Sequence, residues 1–203
     1  MSPLKGLYAI TRTHPDLRNQ VEQALRGGAR IIQYRDKSQD RQRRLAEAES
    51  LLELCRAHDA LFLVNDDVTL ATEVGADGVH IGRDDADFDQ ARNALGDAAI
   101  IGVSCYNRLE LARAAQQQGA DYVAFGSFFP SPTKPEAVPA DFALLIMARA
   151  ELDIPICAIG GIGVEHAPAI VSAGADMVAV ISGVFGADDI EAAARAYAAI
   201  IRA

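Results

Sequence analysis

The stretch QGADYVAFG, residues 118–126, has near-copies at three other places in the chain, and this repeat indicates the fold. These copies are GGARIIQYR at 27–35, VGADGVHIG at 74–82 and AGADMVAVI at 173–181. In each copy a glycine ends a helical stretch, since glycine tolerates the left-handed turn that stops a helix, and a short apolar run follows. A corner that recurs in this way predicts one helix-to-strand unit repeated along the chain.

Eight short apolar runs, each followed by a stretch with helical periodicity, extend this repeat over the whole sequence. The predicted strands are Leu7–Thr11, Arg30–Tyr34, Leu61–Val64, Gly78–Ile81, Ile100–Ser104, Tyr122–Phe125, Ile154–Ala158 and Met177–Ile181. The clearest helical stretches are Asp16–Arg26, Gln42–His58, Arg108–Gln118 and Ile190–Arg202. The strands have no long polar face, which is typical of a parallel sheet buried on both sides.

Eight strand–helix units in 203 residues predict an α/β chain with one domain, a single-domain (β/α)8 TIM barrel over residues 1–203. The alternative is an open doubly wound sheet. The sequence has no GxGxxG motif after its first strand, which weakens that alternative.

Composition excludes several classes of protein. Half of the residues are apolar and 23 % are charged, which argues against disorder. A net charge of −9 disfavours nucleic acid as a partner. No apolar run approaches the roughly 20 residues that cross a bilayer, and the first residues do not resemble a secretion signal. Three cysteines without CxxC spacing indicate reduced thiols, so we expect a cytoplasmic protein without a membrane partner.

Polar side chains follow the predicted strands at their C-terminal ends, where the active site of a (β/α)8 barrel lies. In chain order from the second strand they are Gln33, Arg35, Asp36, Lys37, Asn65, Asp66, Asp85, Ser104, the stretch 127–134, the glycines of 160–163, and Ser182. Because these strand ends meet at one rim, we expect these groups to form one site.

The charged members of this set predict a metal beside a diphosphate. Asp66 and Asp85 follow neighbouring strands, and Mg²⁺ takes one or two carboxylates together with phosphate oxygens and water. Arg35, Lys37 and Lys134 converge on the same rim, and several cations suit the charge of a diphosphate.

The glycines predict a second phosphate site across the rim. Residues 159–163, IGGIG, and Gly183 expose backbone N–H groups after the seventh and eighth strands, with a helix expected to start at about Val164. Barrels of this type commonly bind phosphate at these two loops. The sequence therefore predicts two phosphate-bearing ligands that face one another, one held with metal and one without.

Several of these residues have structural alternatives. Asn65-Asp66 fits equally well as the N-cap of a helix from Val68. His80 lies mid-strand and is interpreted as a hydrogen-bonded barrel residue in preference to a catalytic one. Cys105 has no paired base nearby in sequence, so we interpret it as a packing residue.

Six motifs in order and spacing resemble the thiamine-phosphate synthase family, and the resemblance runs from Leu7 to Ser182. The motifs are Gln33-x-Arg35-x-Lys37, Asn65-Asp66-Asp67, GVHIGxxD at 78–85, GVS at 102–104, PSPTK at 130–134 and IGGI at 159–162. The sequence departs from the family pattern at Tyr34, Asp67, Arg83-Asp84 and Tyr106.

The resemblance implies a transferase that joins two halves of thiamine. In that reaction 4-amino-5-hydroxymethyl-2-methylpyrimidine diphosphate loses diphosphate, and the nitrogen of 4-methyl-5-(2-phosphoethyl)thiazole attacks the freed methylene carbon. The implied transition state is dissociative, which calls for charge stabilisation and positioning and needs no strong base. These two small molecules are the implied partners, Mg²⁺ is the implied cofactor, and no oligomeric state is implied.

The resemblance also implies roles for individual residues. Arg35, Lys37, Ser104 and Lys134 are the expected catalytic residues, and Asp66 and Asp85 the expected Mg²⁺ ligands. The residues expected to bind the pyrimidine diphosphate are the four catalytic residues together with Gln33 and Asn65. Those expected to bind the thiazole phosphate are Ser131, Thr133, Gly161, Ile181 and Ser182. The neighbours Tyr34, Asp36 and Pro132 complete the expected substrate-binding residues.

Two other classes compete with this reading. A thiazole tautomerase shares the barrel and the phosphate seat, but it transfers a proton and needs no diphosphate apparatus. A non-catalytic protein that binds or senses thiamine precursors keeps the pocket without turnover. The two carboxylates and three cations at the rim favour the synthase.

Overall fold

The computed structural model describes residues 4–82, 87–130 and 138–202. Its eight strands are β1 (Gly6–Ile10), β2 (Ile31–Tyr34), β3 (Leu61–Asn65), β4 (Gly78–Ile81), β5 (Ile100–Tyr106), β6 (Tyr122–Phe125), β7 (Ile156–Ile159) and β8 (Met177–Val180). They pair in chain order, all parallel, and β1 also pairs with β8. This closed barrel confirms the predicted fold, and the open-sheet alternative is wrong.

The helices alternate with the strands and pack around the barrel. They are α1 (Leu17–Arg26), α2 (Arg41–Ala57), α3 (Val68–Val74), α4 (Phe88–Leu95), α5 (Leu109–Gln118), α6 (Phe142–Glu151), α7 (Ala167–Ser172), α8 (Ser182–Phe185) and α9 (Ile190–Arg202). None of the helices in the described part of the chain is both long enough and apolar enough to cross a bilayer.

The helix expected to start at about Val164 instead begins at Ala167. Residues 164–166 form a turn, in which the N–H groups of His166 and Ala167 both donate to the carbonyl of Gly163. The Nδ1 atom of His166 accepts the N–H of Gly163, 3.2 Å away. This local hydrogen bond competes with helical pairing, so it delays the helix.

Strand residues alternate between two buried layers, because successive side chains on a strand face opposite sides. The inner layer fills the barrel and includes Tyr8, Leu63, Tyr122, Cys157 and Met177. The residues between them on each strand form a larger outer layer that packs against the helices. The inner layer therefore forms the bottom of any cavity at the barrel's open end.

The recurring corner of the sequence is a hydrogen-bonded clamp between neighbouring strands. Before β6, the N–H of Asp121 donates to the carbonyl of Ile101, and a carboxylate oxygen of Asp121 accepts the N–H of Ile101 in return, at 2.9 and 2.8 Å. The same reciprocal pair of hydrogen bonds joins Asp77 to Phe62 and Asp176 to Ile156. We call these three sites the aspartate corners.

At the fourth copy of the repeat, an arginine replaces the aspartate. The N–H of Arg30 donates to the carbonyl of Leu7, but its side chain has no acceptor to complete the clamp. The glycines of the aspartate corners, Gly75, Gly119 and Gly174, have φ between 69° and 117°, so the predicted left-handed turn is present at each of them.

Candidate active site

A cavity of about 760 Å³ opens at the C-terminal ends of the strands. Its walls combine polar side chains from β2 to β5 with glycine-rich turns after β7 and β8. The predicted site residues that line it are Gln33, Arg35, Asn65, Ser104, Gly161, Ile181 and Ser182. The structure therefore brings these residues, which are spread over the chain, to one site.

The rim after β2 and β3 carries charge of both signs. The ammonium of Lys37 forms an ion pair with the carboxylate of Asp66, and the side-chain amide of Asn65 donates to the same carboxylate oxygen. Asp66 has φ 62°, in the left-handed region that Asp and Asn adopt more readily than most residues. This conformation turns the chain between β3 and α3.

Asp66 is not the cap of the helix that follows it. The side chain of Asp67 caps α3 by accepting the N–H of Leu70 at 2.9 Å, and it also pairs with Arg44 at 2.7 Å. The sequence alternative, in which Asn65-Asp66 caps this helix, is therefore wrong. The carboxylate of Asp66 instead accepts from Lys37 and Asn65.

Asp36 holds the loop that carries Arg35 and Lys37. Its buried carboxylate accepts hydrogen bonds from the Thr13 hydroxyl at 3.1 Å, the Ser38 N–H at 2.7 Å and the Arg43 guanidinium at 2.8 Å. Burial by itself raises the pKa of Asp36, but the bonds from Ser38, Arg43 and Thr13 outweigh it and lower the pKa to about 2. Asp36 is thus a fixed anion behind the rim.

Four described residues of the predicted site do not line the cavity: Tyr34 and Asp36, expected to bind substrate, Lys37, expected to be catalytic, and Asp66, expected to bind metal. The hydroxyl of Tyr34 donates to Glu47 of α2 at 2.7 Å, and its ring is buried in the outer layer. Burial and the neighbouring Glu47 raise the pKa of Tyr34. Tyr34 lies away from the cavity because a strand that points Gln33 inward points Tyr34 outward, and Asp36 is held by Thr13, Ser38 and Arg43.

A line of hydrogen bonds crosses the floor of the cavity. Gln33 Nε2 lies 2.6 Å from the Tyr8 hydroxyl, which lies 2.8 Å from the Tyr122 hydroxyl. The Tyr122 hydroxyl lies 2.8 Å from Nδ1 of His80, and Nε2 of His80 lies 2.8 Å from the Ser104 hydroxyl. We call these five residues the floor chain. His80 is a hydrogen-bonded barrel residue, as interpreted from the sequence, and it also lines the cavity.

The wall opposite the charged rim is built from backbone. Gly160, Gly161, Gly163, Ser182 and Gly183 all line the cavity. A Cβ at Gly161, where φ is 62°, would lie 2.4 Å from the carbonyl oxygen of Pro130. Glycine is required here by close approach of the loop after β6 as well as by the turn.

Five predicted residues, Asp85, Ser131, Pro132, Thr133 and Lys134, lie outside the described residues. Within the described ranges, no three His, Cys, Asp or Glu side chains come together as a metal-binding group. Cys105 is buried in the outer layer, and burial raises the pKa of its thiol to about 12, which agrees with a packing role.

Sequence reasoning missed Tyr8 and Tyr122, which look like ordinary strand aromatics. The alternation of strand residues was a signal that could have found them. Tyr8 and Tyr122 share the inward parity of Ile10 and Ala124 on β1 and β6, and inward hydroxyls need partners inside the barrel.

Comparison with known proteins agrees with the family resemblance that the sequence motifs indicate. The family model described as thiamine monophosphate synthase matches residues 7–184. A thiamine-phosphate synthase of Thioalkalivibrio sulfidiphilus is 57 % identical over 201 residues, covering 97 % of this chain and 95 % of that protein. The one from Nitrosococcus oceani is 56 % identical over 200 residues, covering 97 % and 92 %.

Among solved structures, thiamine phosphate pyrophosphorylase from Pyrococcus furiosus superposes with a TM-score of 0.89 at 36 % identity. The match covers 98 % of this chain and 96 % of that chain. Similarity therefore extends over nearly the whole chain.

Proposed function

The chain belongs to the thiamine monophosphate synthase family, and on that premise we propose how its residues carry out the thiamine-phosphate synthase reaction. The enzyme is a transferase of thiamine biosynthesis. Its substrates are 4-amino-5-hydroxymethyl-2-methylpyrimidine diphosphate and 4-methyl-5-(2-phosphoethyl)thiazole, and its products are thiamine phosphate and diphosphate.

One observation supports this assignment of the cavity most directly: a single cavity has a charged rim on one side and exposed glycine backbone on the other. Arg35 lines the cavity on the charged side, and Lys37 pairs with Asp66 in the loops just after β2 and β3; a diphosphate needs such cations. Gly161, Ser182 and Gly183 stand on the other side, where barrels of this fold commonly bind a phosphate. Two anionic substrates can thus approach each other from opposite walls.

The reaction breaks the bond between the pyrimidine methylene carbon and the diphosphate oxygen, and the electron pair leaves with the diphosphate. The lone pair of the thiazole nitrogen then forms the new C–N bond. The main task of the protein is therefore to stabilise the departing anion and to hold the thiazole in line. Arg35 and Lys37, with Lys134 by family resemblance, supply positive charge to the diphosphate.

The neutral polar residues orient the pyrimidine. Gln33, Asn65 and Ser104 line the same cavity as Arg35, with Gln33 and Ser104 at the two ends of the floor chain. None of these three carries a charge, so they position the ring without attacking the methylene carbon. The glycine wall orients the thiazole through its phosphate, and the backbone there is held by the Tyr197 hydroxyl, which donates to the carbonyl of Ile162 at 2.8 Å.

The donor chemistry at the rim fits Mg²⁺. Asp66 offers a hard carboxylate oxygen beside the predicted diphosphate site, and Asp85, by family resemblance, would be the second ligand. When bound there, Mg²⁺ would add positive charge to the diphosphate side of the site. The ammonium of Lys37 is already directed to this point by its ion pair with Asp66.

Turnover of the purified chain tests the proposal. We expect thiamine phosphate to form only when the pyrimidine diphosphate, the thiazole phosphate and Mg²⁺ are all present, with one diphosphate released per product. Omission of each component in turn is the control. Conversion of a thiazole carboxylate tautomer without any pyrimidine substrate would instead identify a tautomerase, and tight binding of both substrates without product would identify a binding protein.

A further inference from the structure

The floor chain joins two residues of the cavity, Gln33 and Ser104, through three residues of its floor. Gln33 and Ser104 stand at its two ends, and Tyr8, Tyr122 and His80 connect them by four contacts of 2.6 to 2.8 Å. Tyr122 is completely buried, and it is not one of the described residues that line the cavity. Gly102 makes room for its ring, since a Cβ there would lie 2.0 Å from the ring carbon that carries the hydroxyl.

Each tyrosine of the floor chain has one proton to donate. Burial raises the pKa of Tyr8 and of Tyr122, so both phenols stay neutral. The Gln33 amide nitrogen donates to the oxygen of Tyr8. Tyr8 must then donate to Tyr122, because its proton would otherwise be buried without an acceptor.

The same argument continues to the other end. Tyr122 accepts from Tyr8 and therefore donates to Nδ1 of His80. His80 is consequently the tautomer with its proton on Nε2, and that proton goes to the Ser104 oxygen. Ser104 has its own proton left for the cavity, while Gln33 has its carbonyl oxygen left.

We propose that the floor chain sets the hydrogen-bonding pattern of the cavity, an acceptor at Gln33 and a donor at Ser104, and that Tyr8, Tyr122 and His80 are positioning residues for the pyrimidine. This inference rests on the proposed function, which places the pyrimidine between Gln33 and Ser104. The opposite pattern requires all five groups to reverse together. The two ends are therefore coupled although neither touches the other.

This pattern selects one chemical class of heterocycle. A ring with an amino group beside a ring nitrogen offers a donor and an acceptor, which complement Gln33 and Ser104. The corresponding oxo-pyrimidine offers the reverse pattern, and a site built for one pattern rejects the other because buried groups lose their partners. The floor chain thus makes the enzyme specific for an aminopyrimidine.

The variant Tyr122→Phe cuts the floor chain at its centre and keeps the ring. We will compare binding of the 4-amino pyrimidine diphosphate with binding of its 4-oxo analogue by calorimetry. We expect the parent chain to prefer the amino compound by at least about tenfold, and the variant to lose most of that preference because its two ends orient independently.

Nitrogen NMR of imidazole-labelled protein gives a second readout that needs no ligand. We expect the parent to hold His80 as the Nε2–H tautomer and Tyr122→Phe to shift it toward a mixture. Tyr34→Phe is the matched control for this spectrum, since it removes another buried hydroxyl whose partner Glu47 lies outside the barrel. Tyr8→Phe cuts the same chain one bond earlier and replaces Tyr122→Phe if that variant does not fold.

The two readouts separate this inference from the proposed function. If the parent does not bind the aminopyrimidine diphosphate, the proposed function is wrong, whatever the spectrum. If it binds, but His80 is the Nδ1–H tautomer or Tyr122→Phe keeps the parent's amino-to-oxo preference, the inference is overturned. A lowered preference with a changed His80 spectrum supports it.

Discussion

The ammonium of Lys37 contacts the carboxylate of Asp66, so the loop after β2 and the loop after β3 meet through this ion pair. Each partner is expected on the diphosphate side of the site. Lys37 is the more exposed of the two, with 58 % of its side chain accessible against 21 % for Asp66. The lysine is thus the partner with freedom to follow a ligand, while the aspartate stays in place.

Asp66→Asn tests the proposed metal ligand. We expect the half-saturating Mg²⁺ concentration to rise by about tenfold or more and turnover to fall, because the amide has no charge to offer the cation. Asn tolerates the positive φ of this position, so the variant should fold. Asp67→Asn is the matched control, because it also removes one negative charge but keeps a capping oxygen for α3. Equal Mg²⁺ dependence in both variants would exclude Asp66 as a ligand.

Asp36→Asn tests the anion behind the rim through the pH dependence of stability. The folded pKa is lowered to about 2, so this carboxylate stabilises the fold above its unfolded pKa and loses that effect as the pH falls through the folded value. We expect the parent to exceed the variant by about 2 kcal/mol in free energy of unfolding at pH 7. Denaturant titrations should show this gap closing between about pH 4 and pH 2. A gap independent of pH would contradict the assignment.

Gly161→Ala tests the glycine wall. The new methyl group meets backbone of the loop after β6, so we expect this variant to lose about 2 kcal/mol more stability than a variant with backbone strain alone. Gly75→Ala supplies that comparison, since Gly75 has φ 69° and open space around it. Calorimetry should show weaker binding of thiazole phosphate in Gly161→Ala and unchanged binding of pyrimidine diphosphate. If thiazole phosphate bound equally to Gly161→Ala and the parent, the second site would lie elsewhere.

Asp121→Ala tests the aspartate corner. The variant leaves the Ile101 N–H without its carboxylate and removes the ion pair of Arg92, so we expect a loss of about 2 kcal/mol in free energy of unfolding. The corner lies at the end of the barrel away from the cavity, so kcat and KM of the folded enzyme should stay at the parent's values. Thermal melts and steady-state kinetics on one preparation check both expectations, and altered KM with unchanged stability would refute this role.

The barrel was predictable because its signal repeats. Eight apolar runs and four corner copies each carry weak information, but together they predict a repeated strand–helix unit, which the structure closes into a barrel. The cavity walls were predictable for a similar reason, since polar groups at parallel strand ends must meet. Gln33, Arg35, Asn65 and Ser104 reach the cavity as expected.

The sequence did not reveal which way some strand side chains point, or which of two adjacent residues caps a helix. Tyr34 stands in the motif beside Gln33, but strand alternation turns it to the outer layer. Asp67, and not Asp66, caps α3, because two adjacent aspartates offer the same oxygen and only the backbone decides between them. Tyr8 and Tyr122, which hydrogen-bond to each other, lie 114 residues apart along the chain, a separation at which no local pattern carries information.

The aspartate corners and the cavity occupy opposite ends of the barrel, and this separation bears on how the enzyme can evolve. Asp77, Asp121 and Asp176 hold β3 to β4, β5 to β6 and β7 to β8, while the residues that meet substrate stand where the same strands finish. Substitutions at the rim that change the heterocycle bound often lower the free energy of unfolding. The aspartate corners offset that loss, because they stabilise the barrel without taking part in the site. A laboratory selection for altered substrate range should randomise the rim and leave the three aspartates untouched, since each one retained raises the number of destabilising rim changes that a folded variant can carry.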